Sequence, residues 1–244
     1  MTSRNQDCSG VAEPPRDRDS LLNALILALK SERKLGMDCL PVPQQGGAPS
    51  GDTTGRLQEM AEIVSRCTSC TLCRSRTRTV FGEGSPAPRL MFIGEGPGVE
   101  EDRCGRPFVG PAGRLLDRII KAAMLEREEV YIANIVKCHP PGNRTPDPAE
   151  VETCLPFLKE QIRLLNPEVI CPLGSPATRT ILNANQGIMR LRGRRYPWPD
   201  NPEITVIPTF HPAYLLRNPH EKGKTWSDIQ MIMKILGIEI PNHR

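Results

Sequence analysis

Cys67 and Cys70 form a C-x2-C pair, and Cys138 and Cys154 form a second, wider pair far along the chain. A close pair of thiols grips one side of a metal centre and needs a distant pair to close the other, so these four draw roughly a third of the chain to one point. The constraint falls on the fold as much as on the chemistry. Cys73 extends the first pair to C-x2-C-x2-C and competes for one of the four places. Nine cysteines in all argue for metal ligands or free thiols in a reducing compartment before disulfides. Cys8, Cys39, Cys104 and Cys171 read as ordinary thiols.

The 244 residues, 38% of them apolar, suffice for one core of ordinary size with residues to spare. Residues 1–55 read as a tail and 56–244 as the folded domain. In the tail Pro14, Pro15, Pro41, Pro43 and Pro49, with Gly46, Gly47, Gly51 and Gly55, break any long packed element. Leu21 to Leu29 is apolar almost all round, follows Asp19 and Ser20 as candidate N-caps, and closes at Gly36, the pattern of a short docking helix. It is too short to span a bilayer, and Asp17 and Asp19 stand where a signal peptide carries positive charge. A soluble, cytoplasmic protein with no membrane partner is expected.

From about Arg56 strand-like and helix-like runs alternate. Leu90–Ile93, Val130–Ile135, Val169–Leu173 and Ile204–Ile207 are short, branched and apolar, as strands buried on both faces are. Gly113–Met124, Pro148–Leu165, Pro176–Leu182 and Trp226–Leu236 read as helices, with Asp147 and Ser175 as candidate caps. The order predicts an α/β fold, a three-layer α/β/α sandwich around a short, mainly parallel four-stranded sheet. No repeat of fixed period is visible.

In such sheets the site lies beyond the carboxyl ends of the strands. Three of the strands run there into unusual polar segments. Ile93 leads into Gly94-Glu95-Gly96-Pro97-Gly98, followed by Glu100, Glu101 and Asp102; Ile135, just after Asn134, leads past Lys137 to Cys138 and His139; Ile207 leads to His211 and Tyr214-Leu215-Leu216-Arg217. There is neither a G-x-x-x-x-G-K-[ST] loop nor a G-x-G-x-x-G opening a helix, which argues against a nucleoside-triphosphate enzyme. A net charge of +4 is low for a nucleic-acid coat protein, yet arginines cluster at Arg74, Arg76 and Arg78 and at Arg190, Arg192, Arg194 and Arg195.

Taken as a set, the Gly94–Asp102 segment, the Asn134–Cys138 stretch with Pro140, Pro141, Asn143 and Arg144, and His211–Arg217 resemble the signature regions of the family 4, iron-sulfur uracil-DNA glycosylases. The resemblance covers roughly residues 57–238. A related family with an apolar residue at the place of Glu95 is less similar. A relative that captures the sugar covalently carries Gln at the place of Gly96 and an added basic loop, which Arg103–Phe108 lacks.

The resemblance implies a DNA repair enzyme that flips uracil out of DNA and hydrolyses its N-glycosidic bond, leaving an abasic site. It implies that Phe108 stacks on the base, that Asn134 reads its N3–H and O4 edge, and that Gly94 and Gly96 shape the pocket. His211 would donate to O2 as charge develops there. Glu95, Glu101 and Asp102 compete for the carboxylate that serves the sugar and the water, with Glu95, in the tight turn, placed nearest, Glu101 second, to contact or orient the reacting groups, and Asp102 as an alternative cap for the following segment. Ser175, Tyr214, Leu215 and Arg217 would contact DNA, with Leu215 as the wedge filling the gap.

The resemblance also implies a [4Fe-4S] cluster on Cys67, Cys70, Cys138 and Cys154, although four thiolates hold zinc as well on chemical grounds. The rival readings are a non-catalytic iron-sulfur or zinc nucleic-acid-binding module and a covalent uracil-DNA-capturing relative. The Leu21–Leu29 helix suits docking on a replication or repair protein. A monomer is the default.

Overall fold

The computed structural model describes residues 52–241. The expected tail, save its last four residues, lies outside them, and so does the segment Leu21–Leu29 for which a helix is expected. The first described helix, α1 (Thr53–Ser65), starts where the tail was expected to end. Asp52 caps it by accepting from the Gly55 amide at 2.8 Å. Gly55, counted among the breakers, stands in the first helical turn because the Asp52 carboxylate occupies the space of a Cβ.

The sheet is wider than expected. Its strands are β1 (Glu83–Gly84), β2 (Leu90–Gly94), β3 (Tyr131–Asn134), β4 (Val169–Pro172), β5 (Tyr196–Trp198) and β6 (Asn201–Val206), in the order β1-β3-β2-β4-β6-β5. The four strands legible in the sequence form a parallel centre. The antiparallel edges β1 and β5 make the sheet mixed and six-stranded rather than four-stranded. Two residues carry no period to read, and Pro197 in β5 is tolerated only because an edge strand has an amide to spare.

Alternation along the central strands builds a core on each face. Met91, Ile93, Tyr131, Ala133 and Ile170 pack with Leu57 and Met60 of α1 and Leu158, Ile162 and Leu165 of α4 (Pro148–Leu165), beside α5 (Ser175–Leu182), named below with α2 (Val99–Cys104), α3 (Pro111–Ala122) and α6 (Ile188–Leu191). Leu90, Phe92, Ile132, Val169 and Cys171 pack on the other face with Leu116 and Ile120 of α3 and Ile229, Ile232 and Met233 of the last helix, α8 (Lys222–Ile235). Each fully buried side chain of this size contributes about 1.5–3 kcal/mol, which explains why the strands are continuously apolar. Helix α4 has the bounds the sequence predicts: Asp147 and Glu150 form a reciprocal capping box, with Pro148 at the first helical position. Ser175 does not cap α5; Gly174 is the N-cap, at φ 86°, and the Ser175 hydroxyl accepts from the Ile188 amide. No helix among the described residues is long and apolar enough to cross a membrane.

Candidate active site and thiol cavity

Parallel pairing of β2 with β3 sets Gly94 directly beside Asn134. A Cβ on Gly94 would lie 2.3 Å from Asn134 Oδ1 and 2.6 Å from Phe108 Cζ, so only glycine lets the amide and the ring meet there. Asn134 is 1% exposed, and its Oδ1 has no hydrogen-bond partner. Oε1 of the neighbouring Glu95 is likewise buried and unpartnered. Burial pushes the Glu95 carboxyl above its usual range, and a hydrogen bond with Thr145 opposes this. A buried polar atom without a partner costs about 1–3 kcal/mol, so two of them at one strand end mark a place that a ligand completes.

Phe108 sits at φ 51°, a left-handed conformation rare for a bulky residue, costing about 1–3 kcal/mol. Three contacts hold it. Glu101 Oε1 accepts from the Val109 and Gly110 amides at 2.8 and 2.9 Å. Arg127 donates to the Pro107 carbonyl. Gly113 approaches so closely that a Cβ would meet the Phe108 carbonyl oxygen at 1.9 Å. The ring is thereby held 5.6 Å from the His211 ring, at 33°. Glu101 thus orients the Phe108 segment, and its charge also reaches His211. Asp102 likewise holds a loop, accepting from the Thr77 and Arg78 amides.

His211 caps α7 (Pro212–Arg217), its Nδ1 accepting from the Ala213 amide at 3.1 Å. Nδ1 as acceptor leaves the proton on Nε2. Burial, helped by the Arg217 charge and opposed by Glu101, lowers the imidazole to about 4, so it is neutral near pH 7. A cavity beside it is lined by Glu95, Gly174, Ser175, Met189, His211 and Tyr214.

The segment before His211 is anchored by residues that sequence reasoning missed. Buried Asp228 accepts from Thr209 Oγ1 at 2.7 Å and from Arg192 at 2.8 and 3.0 Å. Arg192 lies 5.2 Å over the Phe210 ring. It therefore leaves the basic patch to which the sequence assigned it.

The segment after His211 is a helix, and its leucines divide. Leu215 is 1% exposed, packed with Leu115 and Phe210, whereas Leu216 is 42% exposed. Leu215, expected as the wedge, is thus packed in the core, and Leu216 is the exposed leucine of the helix. Tyr214 lines the cavity and Arg217 is exposed. Gly96 faces Val136 and Pro140 rather than Asn134, letting the β2 and β3 loops close on each other.

A second cavity collects Cys67, Cys70, Cys73, Cys138 and Cys154 with Arg76 and Lys137. Arg76 turns inward, donating to Cys138 Sγ at 3.2 Å and to the Cys67 carbonyl at 2.7 Å. The Lys137 amide donates to Cys154 Sγ at 3.3 Å. Burial raises the Cys138 thiol and pushes Cys154 up to about 11. Near the cavity Glu150 joins the residue after Cys70 to the start of α4, accepting from Thr71 Oγ1, from Arg144 at 2.7 and 2.8 Å, and from the Asp147 amide at 2.9 Å. Cys171 lies instead in β4, and Cys104 is exposed at the end of α2; Cys8 and Cys39 lie outside the described residues. Among the described residues, no three His, Cys, Asp or Glu side chains are arranged to hold one metal ion.

An α/β sheet with a polar pocket at its strand ends and a nest of thiols alongside defines a class that comparison with known proteins makes specific. The sequence profile of the uracil DNA glycosylase superfamily matches residues 81–230. The chain is 48% identical to the type-4 uracil-DNA glycosylase of Thermotoga maritima, covering 66% of this chain and 85% of that protein. It is 42% identical to the Sulfurisphaera tokodaii type-4 enzyme, covering 73% and 84%, and 39% identical to that of Saccharolobus solfataricus, covering 74% and 86%. The chain belongs to the uracil-DNA glycosylase superfamily, among the type-4 members.

Proposed function

We infer that this protein excises uracil from DNA, releasing the free base and leaving an abasic site. The observation that carries the reading is the pair of unpartnered buried oxygens, Asn134 Oδ1 and Glu95 Oε1, beside the Phe108 and His211 rings. Uracil supplies what the pocket lacks. Its N3–H donates to Asn134 Oδ1 and its O4 accepts from the same amide; cytosine reverses this pattern and leaves buried groups unpaired. Its face stacks on Phe108, worth about 1–3 kcal/mol.

Breaking the bond from C1′ to N1 sends the electron pair to the base. The charge that appears on O2 is met by the Nε2 proton of neutral His211, a donor that needs no reorganisation. Glu95 as carboxylate faces the positive sugar and orients the water whose oxygen bonds to C1′ and whose proton leaves to the carboxylate or solvent. Glu101 acts by holding Phe108. On the DNA side Tyr214, Arg217 and the Ser175 turn contact the strand, and Leu216 takes the wedge role from Leu215.

Cys67, Cys70, Cys138 and Cys154 would hold a [4Fe-4S] cluster at the thiol cavity, with Cys73 at its wall. Inward-turned Arg76 suits an anionic group. Hydrolysis moves no electrons, and such a cluster would serve to pin the Cys67 segment to the Asn143 loop. The segment before α1 would recruit a replication or repair protein, and the enzyme would act as a monomer in a reducing cytoplasm.

An oligonucleotide with one uracil, opposite guanine or single-stranded, is incubated with the protein and cleaved at abasic sites with alkali. A shortened strand is expected, lost in His211→Ala while the brown absorbance stays. An intact strand with the wild type would overturn the reading, and a covalent protein–DNA band would replace it with capture.

A further inference from the structure

Lys137 is 1% exposed, one of the largest fully buried side chains described. Its ammonium donates to the Asn134 carbonyl at 3.0 Å and to Gln161 Oε1, and lies 5.8 Å over the Phe81 ring. Its hydrogen-bond partners are thus a main-chain carbonyl and a neutral amide, not a carboxylate. Burying a cation without a bonded counter-charge is costly, and an apolar side chain of the same volume would fill the space without that cost.

The reason lies in the sheet edge. β1 pairs with β3 only at Tyr131 and Ile132, so no strand runs beside Asn134 on that side. On the other side Gly94 pairs with Asn134, and the Ile135 amide donates to the Gly94 carbonyl. The two segments rejoin where the Val80 amide donates to the Lys137 carbonyl at 2.8 Å, and into the gap between come two side chains: Lys137 donates to the Asn134 carbonyl, and Gln161 Nε2 donates to the Phe81 carbonyl at 3.0 Å and the Tyr131 hydroxyl at 3.1 Å. Both carbonyls are satisfied as a strand would satisfy them.

We propose that Lys137, held by Gln161, is a positioning residue for base recognition: it replaces the missing strand beside Asn134 and fixes the peptide from which the Asn134 amide reaches the pocket. The same residue's amide bonds Cys154 Sγ, so one side chain and its own backbone join the base pocket to the thiol cavity. This rests on the reading of that pocket as the uracil site. A shift of about 1 Å in a positioned group costs about 10²-fold in rate, the scale expected here.

Full-length Lys137→Met, Lys137→Arg and wild type, matched in cofactor content by visible absorbance, are compared in single-turnover uracil excision and in affinity for free uracil and for abasic-site DNA. Lys137→Met is expected to lose about 10²-fold in excision rate and to bind free uracil more weakly, while holding abasic DNA as the wild type does. Lys137→Arg recovers most of both. Wild-type uracil affinity and rate in Lys137→Met, or equal loss of uracil and abasic-DNA affinity, would overturn the proposal. If Lys137→Met is insoluble, Gln161→Leu is measured instead; a smaller loss of the same pattern supports the proposal, and wild-type behaviour sinks it. A wild type that neither excises nor binds uracil removes the functional reading and this inference together, whereas an active wild type matched by its variants removes only the inference.

Discussion

Glu95 and Glu150 are the same residue in opposite circumstances. Glu95 follows the last residue of β2 with one oxygen buried and unpartnered, and burial raises its carboxyl above the usual range. Glu150 opens α4 with both oxygens engaged, and the Arg144 guanidinium, aided by Thr71 and the Asp147 amide, holds it down at about 2. One group is left incomplete and the other is saturated. The difference separates a residue kept ready for a substrate from one that closes a structure, although both are polar side chains beside the same sheet.

The largest test of this contrast is on rate. Glu95→Gln should lose about 10²–10³ in excision, as when a single charge-stabilising group is removed, while melting no lower than the wild type. Comparable excision by Glu95→Gln and wild type would break the comparison. The leucines of α7 extend it to apolar groups. Leu215→Ala should destabilise the protein by about 2–5 kcal/mol. Leu216→Ala should stay within about 0.5 kcal/mol in stability yet excise more slowly from duplex DNA. Equal denaturation midpoints for the two would reverse their assignment.

Titration sharpens the contrast least in size. Glu150 is lowered in the folded state, so its contribution is present above the unfolded value of about 4.3 and is lost as pH falls through its folded value of about 2. Stability of the wild type should fall across that acid window more than that of Glu150→Gln, as followed by denaturant midpoints. His211 is lowered to about 4 and works as the neutral ring, which is present above that value. The profile of kcat/KM should therefore show no histidine step near pH 6.5, only an acid limb. A step near pH 6.5, with the His211 ring protonating at the same pH in an NMR titration, would show that the ring is not held neutral.

How much was legible depends on how local each cause is. The bounds of α4 follow from Asp147, Pro148 and Glu150 within four neighbouring positions, and the central strands follow from runs of branched apolar residues. The edge strands had no such signature. Ser175 and Gly174 were exchanged as caps because the positive φ of Gly174 belongs to the approach of His211, from another strand end. Arg76 and Arg192 look in sequence like their exposed neighbours, yet one turns to Cys138 and the other to Asp228.

The sequence by itself determined the α/β class, the three polar strand ends, the two spaced cysteine pairs and, through resemblance, the family. These depend on residue type and spacing along the chain, which burial and hydrogen-bonding rules convert directly into structure. Only the tertiary structure decided that Glu101 holds Phe108, that Leu215 is core, that Asp228 and Arg192 anchor the His211 segment, and that Lys137 fills a gap beside Asn134. Each of these depends on which distant group faces a side chain, and in a packed interior that is set by the approach of separate elements rather than by neighbours in the chain.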